Sequence, residues 1–411
     1  MTRIEGDAPM GRLMREHYWI PFAMSAHLAA GDAPMPVRLF GENYVAFRDA
    51  EGRIGLLDEL CPHRRSSLLL ARNEGNGIRC IYHGWKMDAT GCVIDCPTQV
   101  TRTAQFMANV SVVHFPVHES GGIAWAWLGG IDAPPFPELP FGDEDLYRYW
   151  CVCRVPCNWL QGIEGSIDSV HVGTLHKTWI AEAAKLAGHG NLTFALDKPP
   201  TYETQTTEYG MRAAALRETP DGGIYARITE HLMPCVTVVP VGSSTPRAGS
   251  VFVISPVDDT HHLLFFGTYG TTTMSSVPPE EMAMQSRDYE PDPSDYTRLH
   301  GDHRTRWGQD RALMDAGHFT GFGRSLLEED VAVQTSMGAI VDRSKEHLSS
   351  SDVAVASARR MLLDALGAAD AGHLPPGSAR SPEGVRLPNC LEAVVAEGEH
   401  WEDVVLDQLP S

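Results

Sequence analysis

Cys61-Pro62-His63 and Cys80-Ile81-Tyr82-His83 put one cysteine and one histidine on each of two short loops, and few folds can bring four such side chains to one point. A zinc finger clusters its ligands differently, as a cysteine pair followed by a histidine pair. Two loops that each supply one thiolate and one imidazole suit a two-iron, two-sulfide cluster, with both sulfurs on one iron and both imidazoles on the other. Imidazole is neutral where thiolate is anionic, so the exchange raises the reduction potential and poises the cluster to accept and pass on electrons. The flanking Gly84 and Trp85 would shield it. A zinc site of the same four ligands is the plain alternative, and it would be colourless. The other seven cysteines, Cys92, Cys96, Cys151, Cys153, Cys157, Cys235 and Cys390, read as ordinary reduced or buried residues. An odd total of nine argues against a disulfide framework.

A chain of 411 residues, 43% of them hydrophobic, has two domains as its natural expectation. Its formal charge of −20 makes it a poor binder of nucleic-acid phosphates, while suiting solubility and docking to a basic partner. Residues 1–24 show no secretion signal, and no run approaches the roughly 18 apolar residues of a membrane span. The expectation is a cytoplasmic, metal-using protein. Residues 11–20 read as a short helix running into Pro21. Short strands follow from Val37 through the alternating Ile123, Trp125 and Trp127, ending near the proline-rich segment 133–140. Past Tyr147, residues 158–172 have helical spacing, with Trp159, Ile163, Ile167 and Val170 as an apolar stripe. Residues 202–270 read as an antiparallel sheet, and 279–289, 324–341 and 352–367 as helices. The expected architecture is α+β, with an N-terminal helix and all-β domain over 1–140 and a larger domain over 141–411.

The second chemical stretch is Asn158 to His176. Asp168 and His171 are three apart, so they lie on one helical face. His176 follows Gly173, where the helix can end and let a second imidazole swing back. Two imidazoles and one carboxylate make the face that leaves iron(II) open positions for dioxygen. Two surface histidines on an ordinary helix are the bland reading of the same string.

The strings CPHRRSSL and CIYHGWKMD resemble the Rieske motif, and with D-x-x-H-x-x-x-x-H the chain is similar over nearly its whole length to the Rieske non-haem iron ring-hydroxylating oxygenases. The resemblance implies a Rieske [2Fe-2S] domain and a catalytic domain of the helix-grip, START-like kind, its antiparallel sheet flanked by helices. It implies that Cys61, His63, Cys80 and His83 hold the cluster and that His171 and His176 bind a mononuclear Fe(II). It also implies that Asp168 is no ligand but the bridge carrying an electron from a neighbouring subunit's cluster. The third ligand is then expected downstream. Leu327, Asp330, Val331 and Gln334 share one helical face, so Asp330 stands on an otherwise apolar side, where a buried acid needs a partner. Glu328 and Glu329 read as solvated charge. The string EEDVAVQTSMG resembles the segment that carries the distal aspartate, so Asp330 is assigned. Glu164, one turn before Asp168, is a candidate polar neighbour of the iron, with a capping or ion-pair acid as its alternative.

GWKMDATG, NWLQGIEGSIDSVHVGTLH and MGAIVDRSKEHLSSSD most resemble the phthalate-dioxygenase-like branch, which is built from one kind of subunit. That implies a terminal oxygenase of aromatic catabolism, using O2 to dihydroxylate an aromatic carboxylate of phthalate or phenoxybenzoate type. It also implies a homotrimer or hexamer. Electrons would come from a separate flavin/iron–sulfur reductase or a ferredoxin, NAD(P)H acting only through that reductase. An O-demethylase of a methoxylated aryl acid is the near alternative, and a Rieske electron carrier without oxygenase activity is the distant one. A substrate carboxylate needs a cation. Arg212 and Arg217 face opposite sides of a strand, and Arg212, sharing its side with Ala214 and Leu216, is the expected anchor; Arg227 and Arg247 are further candidates. His261 and His262 read as an exposed turn.

Overall fold

Pro9 starts the first helix, which runs Pro9–His17 and buries Met10, Leu13 and Met14. It stops short of the expected residue 20 because Trp19–Met24 is drawn into a strand paired with Ile123–Trp127. In the computed structural model, which describes residues 1–186, 199–241, 247–271, 301–323 and 325–405, the chain divides into two units, Arg3–Phe136 and Pro137–Ser411 with Met1–Thr2. The expected helix 279–289 lies outside the described residues.

The first unit contains three small antiparallel sheets. One is made by Trp19–Met24, Ile123–Trp127 and Val117–Ser120, and a second by Met35–Leu39, Glu42–Arg48, Ile54–Asp58 and His114–Phe115. The third, Arg72–Glu74, Gly77–Arg79, Lys86–Met87 and Val93–Asp95, holds residues 80–85 as the tip of a hairpin. Val45, Phe47, Leu57, Leu68, Ile78, Met87 and Val112 form a core that also takes in Cys61 and Cys80. The two thiols are thus packed as core residues, which fixes them before any metal arrives.

The second unit is built on one antiparallel sheet. Its strands are β1 (Tyr147–Val155), β2 (Thr201–Thr206), β3 (Gly210–Glu218), β4 (Ile224–Leu232), β5 (Val236–Val239), β6 (Gly249–Asp258), β7 (His261–Gly270) and β8 (Leu391–Val395). Their order is β1-β7-β6-β5-β4-β3-β2, with β8 pairing the first half of β4 while β5 pairs its last residues. Helices α1 (Trp159–Ile167), α2 (Leu326–Ser336), α3 (Val353–Asp370) and α4 (Trp401–Val405) accompany it. On the inner face, Thr204 meets Ser357 of α3 at 2.9 Å and Thr237 meets Ser166 of α1 at 2.9 Å. The outer face is buried as well: Ala214, Ala226 and Ile228 pack with Val395 and Trp401. No helix among the described residues is long and apolar enough to cross a membrane.

Helix α1 reaches the sheet closely because residue 162 is glycine; a Cβ there would come within 2.8 Å of His262 Nε2. His262 is therefore not an exposed turn residue, as its neighbour His261 and the short β6–β7 connection suggest. It is fully buried under α1, its Nδ1 donating to the Cys157 carbonyl at 2.9 Å, and burial pushes its pKa down to about 4. His231, on β4, is buried too, its Nδ1 2.9 Å from Thr237 Oγ1, and burial lowers it to about 3.

Candidate metal centres

The two loops of the first unit are the same six-residue turn used twice. In one, Cys61 N–H donates to Ser66 O at 2.9 Å and Arg65 N–H to Cys61 O at 2.9 Å; in the other, Cys80 N–H donates to Trp85 O at 2.8 Å and Gly84 N–H to Cys80 O at 3.0 Å. The fifth residue of each, Arg65 and Gly84, is left-handed, with φ of 58° and 76°. Gly84 suits that conformation without strain, and a Cβ would also press on Pro97 at 2.9 Å. The histidine is third in one loop and fourth in the other, and the two rings meet at 4.4 Å with an interplanar angle of 76°. Trp85 stacks on His63 at 4.6 Å and is held by its indole N–H on Thr98 Oγ1 at 2.8 Å.

Burial pushes the Cys61 thiol up to about 11; the backbone N–H groups of His63 and Arg64 pull the other way, and Cys80 beside it adds to the rise. Two sulfurs side by side in a core suit a shared metal, and His63 Nδ1 is buried with no hydrogen-bond partner among the described residues. These donors fit a two-iron cluster with two sulfur and two nitrogen ligands.

In the second unit α1 is capped at its start by Asn158, whose side chain accepts from Leu160 N–H at 3.2 Å. The helix ends at Ile167, and Asp168 is already extended. The expected one-face relation of Asp168 and His171 therefore does not hold. They meet instead because the Asp168 carboxylate folds over the next turn, accepting from Val170 N–H at 2.8 Å and facing His171 Nδ1 at 3.1 Å. The 3₁₀ turn His171–Gly173 then lets the chain double back to His176.

His171, His176 and Asp330 converge, one donor atom from each lying within 4.8 Å of the others. Asp330 Oδ1 stands 3.6 Å from His171 Nε2 and 3.2 Å from His176 Nε2. Each imidazole also has a carboxylate on its other nitrogen: Asp168 for His171, and for His176 Glu329, whose Oε2 accepts from Nδ1 at 2.7 Å. Glu329 is 0% exposed, and its second oxygen accepts from Thr320 Oγ1. Burial alone would push the His176 imidazole down, but Asp330 and Glu329 outweigh it and hold it up at about 9. The field that favours a proton on His176 favours a metal cation on its Nε2. Two imidazoles, one carboxylate and a carboxylate behind each ring are a donor set that fits iron(II).

Several expected residues sit elsewhere than the sequence suggests. Glu329 is not solvated charge, and neither is Glu328; both are buried, because α2 is covered on nearly all sides, with Leu327, Val331, Ala332, Gln334 and Thr335 buried too. The run of three acids after Ser325 was the available signal, since a helix this buried cannot turn them all to water. Glu164 is the ion-pair acid of its two readings: Arg343 Nη2 reaches it at 2.9 Å and Arg359 Nε at 2.7 Å. Arg212 is buried but stands on the outer face, opposite Glu230, which it meets at 2.5 Å; Tyr209 completes the group from 3.3 Å. Covering of both sheet faces removed the inside-versus-outside distinction on which its choice rested. Arg247 pairs with Asp143 at the surface. Arg217 and Arg227 are the arginines of β3 and β4 on the inner face, and both bond to Ser169.

The sequence comparisons agree with this geometry. Residues 18–115 match the Rieske [2Fe-2S] domain model, and residues 128–408 match the model described as LigXa C-terminal domain like. The chain belongs to the Rieske non-haem iron oxygenases. It is 36% identical to the phthalate 4,5-dioxygenase oxygenase subunit of Pseudomonas putida, over 98% of this chain and 92% of that one. It is 33% identical to the 3-chlorobenzoate-3,4-dioxygenase oxygenase subunit of Comamonas testosteroni, over 92% and 90%. With the 5,5'-dehydrodivanillate O-demethylase oxygenase subunit of Sphingobium sp. (strain NBRC 103272 / SYK-6) it shares 28% identity over 98% and 88%. Among solved structures, NdmA of Pseudomonas putida CBB5 has the same fold at a TM-score of 0.60, with 17% identity, covering 96% of this chain and 100% of that one. The Rieske oxygenase is thus phthalate-dioxygenase-like in sequence, with a Rieske domain followed by an α+β catalytic domain.

Proposed function

We propose that this Rieske oxygenase hydroxylates an aromatic carboxylate, using O2 and electrons delivered by a separate flavin/iron–sulfur reductase or ferredoxin. The observation that carries the reading is the convergence of His171, His176 and Asp330 in a chain that also holds the Cys61, His63, Cys80 and His83 loops. When bound, an iron(II) with three protein ligands supplies positions for dioxygen and substrate. Asp168 and Glu329 take the Nδ1–H of the two imidazoles, which aims Nε2 of each at the metal and raises its basicity. The relatives named for phthalate and chlorobenzoate support an aryl acid. The one named for a demethylase favours O-demethylation as the second reading.

Asp168 is further read as the link over which a neighbouring copy's cluster passes its electron, so the working form is a ring of copies, a trimer or a pair of trimers. The cytoplasm is the compartment proposed, in keeping with nine cysteines of which none is in a disulfide. The test is turnover of the iron-loaded enzyme with a reductase on a panel of aryl acids, methoxylated aryl acids and neutral arenes. Cis-diol from an aryl acid supports dihydroxylation and formaldehyde supports demethylation. Preference for a neutral arene over every acid would overturn the aryl-acid reading.

A further inference from the structure

Ser169 lies between the extended Asp168 and Val170, which caps the turn that carries His171, and it is only 2% exposed. Each of its polar groups is held by a side chain from a different strand. Its N–H donates to Tyr202 Oη of β2 at 2.7 Å, its carbonyl accepts from Arg217 Nη2 of β3 at 3.1 Å, and its Oγ accepts from Arg227 Nη1 of β4 at 2.9 Å. The register explains the convergence. Tyr202 and Arg227 both lie opposite Ala215, and Arg217 lies opposite Tyr225, so the three side chains are near neighbours on one face of three adjacent strands.

Such an arrangement is costly. Burial holds the Arg217 guanidinium below its usual value and the charge of Arg227 lowers it further, while Asp168 acts in the opposite sense. Two neighbouring cations directed at one serine make poor sense as packing, since an apolar pair would fill the space without repulsion. They make sense if the position of the next residue matters. Asp168 hangs from the end of α1 by its N–H on the Glu164 carbonyl at 3.2 Å, and its carboxylate direction depends on the backbone of residues 168–170.

We propose that Tyr202, Arg217 and Arg227 form a positioning clamp that, through Ser169, fixes where Asp168 presents its carboxylate and thereby sets the rate of electron delivery to the mononuclear site. This rests on the reading of Asp168 as the electron link. The step it governs is a one-electron transfer: the reduced cluster, charged by the reductase, is oxidised, and the electron would pass to O2 at the mononuclear site.

The experiment compares Tyr202→Phe, which removes one oxygen, with Arg227→Met, Arg227→Lys and Asp168→Asn in the fully loaded oxygenase. Pre-reduced enzyme is mixed with O2 and an aryl acid that it turns over, and return of the oxidised cluster absorbance is followed by stopped flow, alongside iron content and KM. Arg227→Met is expected to slow cluster reoxidation at least about tenfold, as loss of a charged hydrogen bond implies, with iron content and KM unchanged and with partial rescue by lysine. Tyr202→Phe is expected to slow it less. Wild-type rates in both Tyr202→Phe and Arg227→Met overturn the clamp, and so does iron loss in proportion to the rate. A raised KM at an unchanged rate would make the arginines substrate anchors instead. If Asp168→Asn itself reoxidises at the wild-type rate, the electron-link reading fails; if only the clamp variants are fast, that reading stands and the clamp alone falls.

Discussion

Glu329→Gln isolates the charge behind His176. Glutamine has the same shape as glutamate and can still offer an oxygen to Nδ1–H, so the 2.7 Å contact and the Thr320 hydroxyl contact on the other oxygen both have a counterpart in the variant. What is lost is the anion, in a place with no access to water. Hydrogen bonds to charged groups contribute about 1.5–3 kcal/mol where neutral ones contribute about 1. Removing a ligand's outer carboxylate typically weakens metal binding about 10–100-fold. The expected result is therefore a Kd for Fe(II) raised at least about tenfold, with the cluster spectrum and the thermal midpoint nearly unchanged. The assay is competition between iron-depleted protein, its cluster intact, and a chromophoric chelator at neutral pH, with EPR of the nitric oxide adduct reporting the site's geometry. A Kd within about twofold of wild type, with the same EPR signal, would refute the reasoning. Thr320→Val, which leaves Glu329 charged but loosens it, should fall between the two.

Three more expectations follow from the corrected placements. Arg212→Ala should leave KM for an aryl acid unchanged but cost about 3–5 kcal/mol of stability, because Glu230 is left buried without its cation; a raised KM with normal stability would return Arg212 to the pocket. Buried His231 and His262, lowered to about 3 and about 4, contribute stability that is present above the unfolded value near 6.5 and lost as pH falls below it. Denaturant unfolding should thus show the second unit weaker by about 2–3 kcal/mol at pH 5.5 than at pH 7, and a flat profile would contradict their burial. Asp168→Asn should keep the cluster, weaken mononuclear iron no more than Glu329→Gln does, and reduce turnover per bound iron by at least about tenfold; wild-type turnover per bound iron would contradict its role as a link.

The parts of the site that could be read from the chain are those whose residues are close in sequence. The Cys61–His63 and Cys80–His83 loops announce themselves because each half carries its own pair. His171 and His176 do so because one short turn returns the second ring to the first. Asp330 was accessible only through the apolar character of its face. The same periodicity argument failed one residue earlier, at Glu329, because a helix buried on nearly every side has no polar face to which a charge can be assigned. Arg212 failed for the equivalent reason in a sheet, once β8 and α4 covered the side that alternation assigns to water. His262 read as a turn because α1 descends on it from far away in sequence, and Glu164 stayed open between a metal neighbour and an ion-pair acid because Arg343 and Arg359 arrive from the other end of the unit. The fold class needed none of these contacts and was legible from strand and helix periodicity.

The separation of the donors along the chain also orders events during synthesis. The four proposed cluster donors lie within the stretch from Cys61 to His83, inside a compact unit whose last residue, Phe136, is made long before α2. His176 and Glu329 are 153 residues apart, and at about 5–20 residues per second the nascent chain carries both imidazoles for roughly 8–30 s before any acid of α2 exists. In that interval His171 has Asp168 beside it and His176 has nothing. On the proposed ligand assignments, capture of mononuclear iron waits for translation of α2, and a growing chain carries its cluster donors well before the donors for its third iron.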